Sequence, residues 1–226
     1  MFARLVLAAA IAIGATQAPG AHPISGRELA WPMGVSGAPW LDREDREREE
    51  APALALKILN VAPGSVVADI GAGSGYFTER LARLVGPKGK VYANDIQQGM
   101  LDLLRRRIEK EHLTNVIVVL GEPANPKLPP GAIDLALMVD VYHELREPQK
   151  MLNEIRKALK PAGRLALVEY KGEDPSIPIM PSHKMTVAQA RLEVEHEGFK
   201  LSAVHSGLPR QHVLIFTVAG ERRTKN

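Results

Sequence analysis

Along residues 65–169, continuous apolar runs alternate with stretches whose apolar positions recur every three or four residues. The runs are SVVADI (65–70), KVYAND (90–95), NVIVVL (115–120), IDLALMV (133–139) and RLALVE (164–169). Helical periods lie between them at about 76–85, 98–111 and 148–160. A continuous apolar run suits a strand covered on both faces, the condition of a parallel sheet with helices above and below. Strand and helix in regular alternation predict a doubly wound α/β fold. The rhythm then changes. A helix over 186–197 is closed by Gly198, a C-terminal cap, and strand-like segments follow at 199–207 and 211–220. Only Leu208, Pro209 and Arg210 separate them, too little chain for a parallel crossover, so the two are expected as antiparallel neighbours. The expected architecture is a mostly parallel seven-stranded sheet with a closing antiparallel strand pair and helices on both faces.

Upstream of this unit the pattern is of another kind. Residues 1–20 carry one early positive charge, Arg4, then an apolar core from Leu5 to about Ala15, then small residues. That is the shape of a secretory signal peptide. A core of about 11 residues is short of the ~20 needed to span a bilayer as a helix, so no stable membrane span is expected. The expected location is periplasmic or secreted if the segment works as a signal, and cytoplasmic otherwise. Residues 21–41 are rich in Gly, Pro and Trp without a period and read as an extended arm. Residues 42–52, DREDREREEAP, set Arg43 against Glu47, Glu44 against Arg48 and Arg46 against Glu50, which predicts an exposed, charge-paired helix. Pro52 suits the first turn of a further helix over 52–60.

Charge is nearly balanced, with 29 basic and 26 acidic residues and a net +3, so no nucleic-acid partner is expected. The one basic cluster, Arg105-Arg106-Arg107 with Lys110, falls inside a helical pattern and reads as a solvated face. The chain has no cysteine, which excludes disulfides, thiolate nucleophiles and cysteine-ligated metal centres. Histidines and carboxylates show no ligand spacing along the chain, so no metal is expected.

The chemistry concentrates in a glycine turn. Residues 69–75 read D-I-G-A-G-S-G, directly after an apolar run. The dinucleotide fingerprint needs its third glycine where this chain has Tyr76, and no Gly-Lys-Ser/Thr follows, so a P-loop is excluded. Asp69 disfavours a pyrophosphate at the helix N-terminus. It suits a cofactor that carries an ammonium and a sulfonium, as S-adenosyl-L-methionine does. Asp95, at the end of the next strand, is placed to accept ribose hydroxyls, a role that serves NAD and S-adenosylmethionine alike. Gly121-Glu122-Pro123 follows the third strand, where an adenine amine is within reach.

VVADIGAGSGYFT, VYANDI, IDLALMVDVYHEL and LNEIRKALKPAGRLALVEY resemble the successive motifs of class I S-adenosylmethionine-dependent methyltransferases. The resemblance covers about residues 51–220. Together with the segments read upstream, the expected domain organisation is signal-like segment (1–20), arm and charged helix (21–50), methyltransferase domain (51–220) and short tail (221–226), of which the resemblance implies the third. It further implies Asp69, Gly71, Ala72, Gly73, Gly75 and Tyr76 around the methionine portion, Asp95 on the ribose, and Ile96, Glu122 and Pro123 near the adenine. The family's usual Lys-Pro-Gly-Gly before the fifth strand is Lys160-Pro161-Ala162-Gly163 here.

Methyl transfer is an in-line displacement, in which positioning does most of the work and a base is needed only if the acceptor must lose a proton. The expected acceptor is a small molecule, met near the end of the fourth strand at Asp140-Val141-Tyr142-His143-Glu144. Asp140 is expected on the cofactor's ammonium and His143 as the base, from an ordinary pKa of about 6.5. The proline-rich segment 172–185, with Ile177, Ile179, Met180 and His183, reads as a substrate lid, and His205 and His212 as surface histidines. Two other readings stand beside this one: an exported binding protein that keeps the fold without catalysis, and a nicotinamide-dependent oxidoreductase. The oligomeric state is not legible in the chain.

Overall fold

A computed structural model describes residues 20–220, so all of the signal-like segment but Gly20, and the tail 221–226, lie outside the described residues. The arm holds α1 (Ala38–Leu41) and α2 (Arg46–Glu50), and α3 (Pro52–Leu59) leads into the alternating part. That part runs β1 (Val66–Ile70), α4 (Tyr76–Val85), β2 (Lys90–Asp95), α5 (Gln98–Lys110), β3 (Val116–Leu120), β4 (Ile133–Val139), α6 (Pro148–Ala158) and β5 (Leu159–Lys171). The two-residue β6 (Lys184–Met185), α7 (Val187–His196), β7 (Phe199–His205) and β8 (Gln211–Val218) complete it.

The strands form one sheet in the order β3-β2-β1-β4-β5-β8-β7, with β6 beside β5. Every pairing is parallel except those of β8, which runs opposite to β5 and β7. The expected seven strands and the antiparallel ending are both present. The Lys160–Gly163 segment does not precede β5 but bulges from it. Ile133 faces Leu159 while Leu135 faces Arg164, so the extra residues are looped out of register.

Alternation along each central strand builds two cores. Ala68, Ile70, Ala136, Met138, Leu165 and Leu167 face α6 and α7, against Met151, Leu152, Ile155 and Val194. Val67, Leu135, Leu137, Ala166 and Val168 face the other way, against Leu59, Leu81 and Val85. Helix starts follow local chemistry. α6 begins on Pro148, and α7 has a reciprocal capping box between Thr186 and Gln189. Among the described residues no helix is long and apolar enough to cross a membrane.

The charged stretch 42–52 departs from the expected exposed helix. α2 keeps only Arg46–Glu50, and Arg46 and Glu50 are 4% and 1% exposed. Of the three expected pairs, Arg46–Glu50 forms at 2.8 Å. Arg43 turns instead to Glu49 and Glu50, and Arg48 to Asp45. The cause is a competing surface: the Arg46 guanidinium lies 4.3 Å from the Tyr76 ring centre, which draws this face of the helix onto the domain. Strand order reverses between β1 and β4, the place where an open α/β sheet leaves a crevice at its C-terminal edge.

Candidate functional site

That crevice is a cavity of about 400 Å³. Gly71, Gly73, Asp95, Ile96 and Pro123 line it, together with Asp140 and His143. The arm contributes Met33, Trp40 and Leu41, and the expected lid segment contributes Pro178, Ile179, Met180 and His183. The size lies in the range of small-molecule sites.

The glycine turn closes tightly against its neighbours. Gly71 has φ +72°, and a Cβ there would lie 2.4 Å from Val141 Cγ2. Gly75 has φ +89° and starts α4, and a Cβ there would lie 2.4 Å from Leu104 Cδ1. The Gly71 and Ala72 N–H groups both donate to the Asn94 carbonyl at 2.8 Å. Gly73 N–H donates to Asp95 Oδ2 at 2.9 Å, and Gln97 N–H donates to Oδ1 at 2.8 Å. Asp95 thus clamps the turn to its own strand end. It is 7% exposed, and burial raises its pKa against these stabilising N–H bonds.

Five of the expected cofactor residues stand off the cavity lining: Asp69, Ala72, Gly75, Tyr76 and Glu122. The Asp69 carboxylate points under α4, where it accepts the Thr78 hydroxyl at 2.5 Å, and burial pushes its pKa up to about 6. It therefore supports the turn from beneath and does not line the cavity. Tyr76 lies beneath the guanidiniums of Arg46 and Arg80. Glu122 is exposed and paired with Lys127 at 2.7 Å, while its neighbour Pro123 does line the cavity. Ile96 is 44% exposed and presents its side chain there.

Asp140, after β4, has φ +54° and a buried carboxylate. Oδ2 accepts from Gln211 Nε2 at 2.7 Å, while Oδ1 has no partner. Burial, and then the nearby carboxylates of Glu50 and Glu169, hold its pKa well above the ordinary value. Glu50 itself is held below its ordinary value: burial opposes this, but Arg46, the Tyr170 hydroxyl and Arg43 outweigh it. An unpaired buried acceptor beside a cavity is a group that a cation would satisfy.

The other polar group of the lining is built around His143, only 1% exposed. Its Nδ1 lies 2.6 Å from Glu169 Oε2, and its Nε2 lies 3.1 Å from His183 Nδ1. The Tyr142 N–H fixes the remaining Glu169 oxygen at 2.9 Å. Burial works against a charged imidazole, but the Glu169 carboxylate outweighs it and holds the His143 pKa above its usual value. His183 goes the other way, lowered by burial and by His143. Burial also pushes Glu144 up to about 7. The fold thus joins three ligand-bearing side chains, His143, Glu144 and His183, that the spacing along the chain did not suggest. Glu169 had one sequence signal, a carboxylate ending an otherwise apolar run. Of the two supposed surface histidines, His205 is exposed but His212 is buried within β8.

A family profile described as a methyltransferase domain matches residues 67–163. Over 83% of its length the chain superposes on all of a SAM dependent methyltransferase from Aquifex aeolicus, at 29% identity and a TM-score of 0.79. It is 36% identical over 148 residues to an uncharacterized 37.1 kDa protein in transposon TN4556 of Streptomyces fradiae, covering 65% of this chain and 42% of that protein. It is 30% identical over 117 residues to the ubiquinone/menaquinone biosynthesis C-methyltransferase UbiE of Hydrogenovibrio crunogenus, covering 51% of this chain and 46% of that enzyme. The chain spans less than half the length of these two curated relatives.

Proposed function

We propose that this chain, whose residues 67–163 belong to the methyltransferase-domain family, transfers a methyl group from S-adenosylmethionine to a small-molecule acceptor. What carries the reading is a single cavity lined by Gly71 and Gly73 of the turn, by Asp95, and by His143, which Glu169 backs from behind. In this reading Asp95 holds the ribose, Ile96 and Pro123 cover the adenine, and the unpaired Oδ1 of Asp140 meets the ammonium. The acceptor enters over Met33, Ile179 and Met180, a mostly apolar approach that ends on polar imidazoles. The methyl carbon leaves the sulfonium as the acceptor atom attacks in line, and His143 takes the acceptor's proton on Nε2 while Glu169 retains Nδ1–H.

Calorimetric titration with S-adenosylhomocysteine and with NADH tests the cofactor assignment. Saturable binding of S-adenosylhomocysteine with weaker or no binding of NADH supports it. NADH binding as tight or tighter would return the chain to the oxidoreductase reading. A chain that binds S-adenosylhomocysteine but converts none of a broad acceptor set would leave a binding module.

A further inference from the structure

We propose that His143, Glu144 and His183 form a binding site for a divalent transition-metal ion at the acceptor end of the cavity. The inference goes beyond methyl transfer; the binding of the ion stands apart from it, and only the acceptor's place beside the ion rests on the function proposed above. His143 Nε2, His183 Nδ1 and Glu144 Oε1 make a triangle with sides of 3.1, 3.8 and 3.8 Å. A point equidistant from the three atoms lies about 2.1 Å from each, the bond length of zinc to imidazole nitrogen or carboxylate oxygen. Two imidazoles and one carboxylate select a first-row transition ion over magnesium or calcium, which prefer all-oxygen surroundings.

A second observation points the same way. Metal-binding histidines commonly donate their other ring N–H to a carboxylate, which fixes the tautomer and strengthens the ligand. His143 donates its Nδ1–H to the fully buried Glu169 in this way, leaving Nε2 beside His183 and Glu144. His183 comes from the lid segment, 40 residues on, so an ion would also tie that segment to the strand end. All three ligand residues line the cavity. With the ion bound, His143 Nε2 is occupied. An ion held there would take the lone pair that the base role uses, so the ion-bound form and the base-competent form of His143 would be alternatives, and the ion would supply a positive charge able to lower the pKa of a bound hydroxyl.

The test is a titration of chelator-stripped full-length chain with Co²⁺, following the visible d–d bands, and with Zn²⁺ by calorimetry. One ion per chain at micromolar affinity or tighter is expected, with d–d bands of a four- or five-coordinate ion. His183→Ala should weaken it at least 100-fold; this side chain is part-exposed at the end of a short 3-10 turn, so the fold should survive. Glu169→Gln should weaken it roughly 10–100-fold without removing a ligand. Absence of stoichiometric binding, or a Co²⁺ spectrum and affinity unchanged by His183→Ala, would overturn the site. Titrating the same samples with S-adenosylhomocysteine reports separately on the cofactor assignment, so either proposal is able to fail alone.

Discussion

His143 Nδ1 and Glu169 Oε2 lie 2.6 Å apart at the C-terminal edge of the sheet, both side chains almost wholly buried. The pair sets the basicity of the imidazole. Burial alone lowers a histidine's pKa, and the carboxylate reverses that here. Glu169→Gln keeps the shape and removes the charge, so the His143 pKa should fall, as read from the pH dependence of its imidazole NMR signals. In metal-free protein the acid limb of the rate profile should move to lower pH with it. In the same metal-free protein, His143→Gln should cut turnover about 10²–10⁴-fold while leaving S-adenosylhomocysteine affinity nearly intact. Turnover within threefold of wild type would make His143 a packing residue.

Asp95→Ala should damage two properties together. Losing hydrogen bonds from a carboxylate to the ribose should weaken cofactor binding by about 1.5–3 kcal/mol. Read from its strand end alone, Asp95 is a surface group whose removal leaves stability unchanged. In the fold it accepts the Gly73 and Gln97 N–H groups, and its loss strands them. An added stability loss of about 1–3 kcal/mol is therefore expected in chemical denaturation. Unchanged S-adenosylhomocysteine affinity with a large stability loss would leave Asp95 as a clamp only.

The sheet, its strand ends and the glycine turn were legible because period and turn chemistry are local. Continuous apolar runs named the strands to within a residue or two at most ends, and the three-residue link at 208–210 forced the antiparallel pair. The cavity lining was legible where one strand end supplied it, as at Gly71, Asp95 and Asp140. Spacing says nothing about which side of a turn a carboxylate faces, and in the fold the Asp69 carboxylate turns to Thr78 on α4. Glu169, His183 and Glu144 meet through sheet order, a non-local property. Arg46 and Glu50 read as solvated because opposite charges at four-residue spacing look alike on an exposed helix and on a buried one.

Asp69 should leave a signature in stability against pH. Its folded pKa of about 6 stands above the value of about 3.9 for an unfolded aspartate. The folded state therefore holds the proton more tightly. The stabilisation is fully present below about pH 4 and is lost as pH rises through about 6. At most about 3 kcal/mol is involved. Asp69→Asn keeps an acceptor for Thr78 without a charge, so it should flatten that part of the curve and raise stability at neutral pH. Denaturation midpoints across the window check this. An unchanged slope would mean that Asp69 is ionised in the fold with its pKa unshifted.

Arg27 is expected to be the residue that holds the arm over the cavity. Its Nε and Nη2 donate to the two oxygens of Glu193 on α7, at 3.0 and 3.1 Å, and Nη1 donates to the His143 carbonyl at 3.1 Å. Glu193 has 0% side-chain exposure, and Ser25 and His22 complete its surroundings. Arg27→Ala leaves that carboxylate buried without its main partner, which should cost about 3–5 kcal/mol. Arg27→Met combined with Glu193→Leu removes both charges at similar volume and should recover most of the loss. The His143 carbonyl also accepts the Ala30 N–H at 3.2 Å, so release of the arm should loosen the acceptor end first. Limited proteolysis of Arg27→Ala should then cut within residues 20–50 under conditions that leave the wild type intact. If the single substitution costs under about 1 kcal/mol, and the arm stays protected, the apolar contacts of Met33 and Leu41 hold the arm without the ion pair.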